Sequence, residues 1–154
     1  MGSAPHSHGE ACLIPVVIGV LLAVGIAALA MFTRFDEDRS FYSTVLVIIA
    51  SYYVLFAVLD GSGHALAWEL VIAAAFSTIA IMGALVFPTL VGIGIIAHGL
   101  FDFVHDVFIT NSGVPTWWPS FCGSIDVFLG LWVIVLTRSR LTCSMRASKS
   151  SIPL

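Results

Sequence analysis

Residues Ala65–Thr110 read ALAWELVIAAAFSTIAIMGALVFPTLVGIGIIAHGLFDFVHDVFIT. At about 1.5 Å of rise per helical residue, a single helix of about 46 residues would extend roughly 70 Å, more than twice the ~30 Å hydrocarbon core of a bilayer. The run therefore folds back once. Pro88 stands near its midpoint and disfavours helix at Phe87, so the reading is one span of residues 66–87 and another of residues 88–110, joined by a tight hairpin.

Toward the N-terminus, Asp60-Gly61-Ser62-Gly63 supplies turn formers that close a preceding apolar span, residues 43–60. Before that comes the charged segment Arg34-Phe35-Asp36-Glu37-Asp38-Arg39, and before it a first apolar span, residues 12–33, interrupted only by Pro15. Toward the C-terminus, Asn111-Ser112-Gly113-Val114-Pro115 makes a loop and Trp117-Trp118-Pro119 an interfacial aromatic anchor. A fifth span occupies residues 121–137. The expected organisation is a disordered N-terminus over 1–11, a transmembrane domain over 12–137 and a basic tail over 138–154. The fold class is all-α, a five-span transmembrane helical bundle. Composition agrees, with 59% hydrophobic and 10% charged residues in a chain of 154 and a mean hydropathy of +1.06. Such a chain belongs in a lipid bilayer, and nothing in it implies a nucleic-acid partner.

Basic residues tend to remain on the cytoplasmic side of short loops. Arg34 and Arg39 fall between the first two spans, and Arg138, Arg140, Arg146 and Lys149 follow the fifth. Five spans place all of them on one face, which predicts an N-terminus outside and a C-terminus in the cytoplasm. Which cellular membrane holds the protein is not written in these residues. The N-terminus lacks the basic stretch of a secretory signal, so the first span reads as retained.

Within the fourth span, residues 97–106 read AHGLFDFVHD and carry two histidines and two aspartates. Ionisable groups are costly in hydrocarbon, so a functional site is the default reading. At 100° per residue, Asp102 is displaced about 40° from His98 and His105 about 20° the other way, so the three share a stripe with Asp106 at its edge. Gly94 continues that stripe without bulk, as though lining a cavity. The predicted orientation gathers Asp60, His64, Glu69 and Asp126 into the same outer half of the bundle. Tyr53, seven residues before Asp60, shares its face.

Two chemistries suit this set. His98, Asp102 and His105, helped by Glu69, Asp126 or His64, offer the imidazole and carboxylate ligands that zinc takes, with iron the weaker fit. Without a metal, Glu69, Asp102 and Asp126 in a low-dielectric pocket could act as catalytic acids and bases on an apolar substrate. Asp60, His64, Asp106 and Tyr53 would support either arrangement from behind. Trp117, Trp118 and Phe121 would cap the pocket at the interface. Against both stands the reading that these groups are polar pairs fastening helices together. Cys12 and Cys122 lie toward one face, where a disulfide can form in an oxidising compartment. Cys143 lies in the basic tail, and His6 and His8 lie in the polar N-terminus.

AHGLFDFVHD, together with GVPTWWPSFCGSID and the GHALAWE segment, resembles a little-characterised family of small multi-pass integral membrane proteins of bacteria and fungi. The resemblance covers roughly residues 60–135. It implies a multi-pass helical protein and carries no established activity. The expectation is a membrane protein with an outer-leaflet His/Asp/Glu pocket acting as a metal-dependent or acid/base enzyme on a lipophilic small molecule. The alternative is a non-catalytic accessory or transport subunit whose polar cluster is structural or proton-handling. Homo-oligomerisation is open in either case.

Overall fold

Pro88 breaks the long apolar run where its ring fixes the backbone for the first turn of a new helix. The preceding helix ends at Leu85, leaving only Val86 and Phe87 to reverse the chain. The computed structural model describes the backbone of residues 7–150 and the side chains of residues 13–143. Five helices follow in order: α1 (Ser7–Thr33), α2 (Arg39–Asp60), α3 (Gly63–Leu85), α4 (Pro88–Phe108) and α5 (Trp118–Ser150), with a single 3-10 turn over Phe35–Glu37. No strand occurs among the described residues. Each of the five is long and apolar enough to cross a membrane.

Local chemistry sets the other ends. Asp38 accepts a hydrogen bond from the Ser40 backbone N–H at 2.8 Å and so caps α2, which begins at Arg39 rather than at Ser43. That bond, with a second from the Ser40 hydroxyl, holds the Asp38 carboxyl below its ordinary range. Gly61 ends α2 in the left-handed conformation, φ 74°, which a residue with a Cβ adopts only with strain. The Ser62 side chain then caps α3 through the Ala65 N–H. α5 continues through Arg138 to Ser150 without a break.

The helices are not equal partners. α4 and α5 are the most buried of the five, and α1 and α3 the least. α4 and α5 form the axis of the bundle, α2 and α3 pack along one side as a hairpin, and α1 lies against α5. Side chains such as Leu21, Phe32, Leu85 and Val107 point outward, as lipid contact requires and water would penalise. Leu46, Ile95, Leu129 and Val133 fill the apolar half of the core. The stripe of α4 does not open into a cavity at Gly94. A Cβ there would lie 2.7 Å from Ile79 and 2.8 Å from Leu46, whose side chains occupy the space the missing side chain leaves.

The end carrying the 3-10 turn and the α3–α4 reversal is tied by Arg140, whose guanidinium reaches Asp36 Oδ2 at 2.6 Å. The opposite end carries the Gly61 turn and the α4–α5 loop, and the polar core lies nearer to it. The side chains of residues 1–12 and 144–154 lie outside the described set, and with them the readings of His6, His8, Cys12, Arg146 and Lys149.

Candidate functional site

α4 and α5 run antiparallel, and glycines set how closely they approach. A Cβ on Gly92 would come within 2.9 Å of the Gly130 carbonyl, and one on Gly99 within 2.7 Å of Asp126 Cβ and 2.9 Å of the Gly123 carbonyl. Gly92 and Gly99 on α4 thus face Gly130 and Gly123 on α5 across a seam with no room for side chains. Small residues at such contacts let helix backbones pack closely in lipid. The seam delivers Asp126 to His98.

His98 Nδ1 lies 2.8 Å from Asp126 Oδ2 and 3.6 Å from Asp102 Oδ1, the latter beyond hydrogen-bond reach. All three side chains are buried, at 0–1% exposure. One ligand atom from each lies within 4.8 Å of the others, a spacing that can hold a metal ion. Neither oxygen of Asp102 has a hydrogen-bond partner, and neither does Asp126 Oδ1. Buried oxygens without donors are expensive, and they call for a proton or a cation. Around them Phe76 meets the His98 ring edge-on at 4.9 Å, and Cys122 Sγ lies 3.9 Å from Asp126 Oδ2.

His105 belongs to a second cluster. It stands two helical turns beyond His98, roughly 10 Å along the axis, and both its ring nitrogens turn to other partners. Its Nε2 lies 2.8 Å from Glu69 Oε1 on α3, and its Nδ1 lies 3.3 Å from Asp106 Oδ1. Asn111, in the α4–α5 loop, donates from Nδ2 to the same Glu69 oxygen at 2.9 Å and to the Tyr53 carbonyl at 3.2 Å. The Tyr53 ring stacks on His105 with centroids 4.1 Å apart and planes 23° from parallel. Tyr53 therefore sits between the clusters, its ring also 6.2 Å from the His98 ring and its buried hydroxyl without a hydrogen-bond partner.

The structure thus brings His98, Asp102 and Asp126 together and separately joins His105 to Glu69. Tyr53 is central. Asp60 and His64 are exposed near the Gly61 turn, where Asp60 meets Ser112 at 3.5 Å. Asp106 is also exposed and reaches the core through His105. Cys122 is a buried free thiol, and Cys143 is exposed. Trp118 packs on Tyr52 and Phe56, and Trp117 on Trp118 and Phe121, so the aromatics cover this end of α5. Two participants escaped the sequence. Asn111 reads as a loop former, and Cys122 as a half-cystine, although its position one turn before Asp126 places it on the same face.

A family model matches residues 12–139. The chain belongs to DUF6010, a family of unknown function. No curated protein and no solved structure matches it. Both His–carboxylate pairs, Tyr53, Asn111 and the glycine seam fall within the span that defines membership.

Proposed function

We propose that this multi-pass membrane protein binds one divalent cation, zinc or iron, through His98, Asp102 and Asp126. The observation that carries the reading is the convergence of these three buried side chains with three carboxylate oxygens that make no hydrogen bond of ordinary length, the Tyr53 hydroxyl and the Cys122 thiol being the nearest polar groups to Asp102. A tetrahedral ion with bonds of about 2.0–2.1 Å separates its ligand atoms by about 3.3 Å. The separations of 2.8 and 3.6 Å bracket that value. Two carboxylates and a neutral imidazole balance a charge of +2, so the loaded centre is neutral, which a low-dielectric bundle favours.

Three protein ligands leave a coordination position, as catalytic centres do. When bound, the ion would acidify a water or polarise a substrate oxygen. A substrate reaching this depth must be soluble in the bilayer, so the class we propose is a lipophilic small molecule. With the N-terminus outside, as the basic residues suggest, the centre lies in the outer leaflet. A second reading has its own support. His98–Asp126 joins α4 to α5 and His105–Glu69 joins α4 to α3, as interhelical polar fastening would.

Elemental mass spectrometry of protein purified in detergent without chelators separates the two. Near-stoichiometric zinc or iron in the wild type, lost from His98→Ala and Asp126→Asn, is the expected result. Absence of metal from the wild type would leave the fastening role.

A further inference from the structure

We propose that His105 is a proton port connecting water at the loop end of the bundle to the buried Glu69 carboxyl. This reading does not depend on a metal at His98. The His105 side chain is 0% exposed, yet its two ring nitrogens face two carboxyl groups in opposite surroundings. Asp106, on Nδ1, has a side chain 79% exposed, whereas Glu69, on Nε2, is 1% exposed. An imidazole held this way can accept a proton at one nitrogen and release one from the other.

The surroundings fit that use. A cavity of about 200 Å³, lined by Asp106, Thr110, Asn111 and Ser112 among others, opens beside the outer partner. On the inner side, Glu69 Oε1 is held by His105 and Asn111, while Oε2 is buried without a partner. Polar fastening alone would need neither the exposed carboxylate nor the vacant inner oxygen. In one transfer, a proton leaves the Asp106 carboxyl for Nδ1 as the Nε2 proton passes to Glu69 Oε1. Asp106 ends ionised, Glu69 ends protonated, and the ring remains neutral in its other tautomer. The reverse step restores the start. Tyr53 from α2, stacked on the ring, holds it in plane between its partners. The polar groups around His105 are Glu69 from α3, Tyr53 from α2, Asp106 from α4 and Asn111 from the loop, and Phe101 meets its ring edge-on. One turn along α4 lies Asp102, which α5 faces with Cys122 and Asp126.

The test is hydrogen exchange at the His105 ring nitrogens in protein labelled with ¹⁵N-histidine and held in lipid nanodiscs, the signal assigned by its loss in His105→Gln. Rapid exchange into deuterated water is expected in the wild type despite the buried ring. Asp106→Asn should slow it on the order of a hundredfold, the lower range of what a positioned proton-transfer group contributes. Asp60→Asn, an exposed carboxylate at the same end, should leave it unchanged. Asp106 is exposed, so its variant keeps the fold, and an unshifted His98 signal verifies this. A wild-type ring protected from exchange, or an Asp106→Asn ring exchanging as fast as wild type, overturns the port.

Discussion

Asn111 shows what a single loop residue does for a buried carboxyl group. Its amide donates to Glu69 and to the Tyr53 carbonyl, so it ties the α4–α5 loop to α3 and α2 at once. Hydrogen bonds to charged groups contribute about 1.5–3 kcal/mol, and losing a donor leaves a buried acceptor unmet. Asn111→Ala should therefore destabilise the protein by about 1.5–3 kcal/mol. Combined with Glu69→Gln it should show a coupling of about 0.5–3 kcal/mol in a double-mutant cycle of unfolding in detergent. Strictly additive single effects would mean that the amide is not engaged with Glu69. Nothing in Asn-Ser-Gly distinguishes this residue from an ordinary turn former, because its role exists only once a loop lies over α3. The His98, Asp102 and His105 stripe was legible from helical period alone. Period gives direction and not partners, however, and packing sets His98 against Asp126 of α5 but His105 against Glu69 of α3.

At the scale of elements, the five apolar helices followed from run lengths and from Pro88, since a bilayer sets span length almost independently of detail. Contacts between helices were less visible. Gly92 and Gly99, like Gly123 and Gly130, recur every seventh residue, but which helix each pair meets is decided by tertiary packing. That seam brings Asp126 across to His98, so the site depends on residues with no chemistry of their own. Gly99→Ala would drive a methyl into Asp126 Cβ and the Gly123 carbonyl, an overpacking that costs about 1–3 kcal/mol. It should also lower the metal content of the purified protein by separating Asp126 from His98. Gly25 is the matched control, because a Cβ there meets nothing within 4 Å. Gly25→Ala should be neutral or stabilising by up to about 1 kcal/mol through helix propensity. Equal stability and metal content in the two variants would show that the seam does not hold the site together.

The whole molecule is polarised along its length. Charged residues of both signs gather at the end of the 3-10 turn, where Arg34 pairs with Glu37 at 2.7 Å and Arg140 with Asp36. The Glu37 carboxylate raises the proton affinity of Arg34 further, and a guanidinium, charged at any physiological pH, resists transfer across the bilayer. The other end holds the His105 cluster and the tryptophans of the α4–α5 loop. If the basic end faces the cytoplasm, Asp106 faces outward and a proton port there opens to the exterior. The protein's own thiols report on this. In Cys12→Ser, Cys122 is buried in the bundle, and Cys143 is exposed on the C-terminal part of α5 beyond Arg138 and Arg140. A membrane-impermeant maleimide should leave intact cells unlabelled and should modify one thiol after permeabilisation. Cys143→Ser in the same background should abolish that labelling, since Cys122 is only 3% exposed. Labelling of Cys143 in intact cells would reverse the molecule, turning Asp106 and its cavity toward the cytoplasm while leaving the arrangement of the site unchanged.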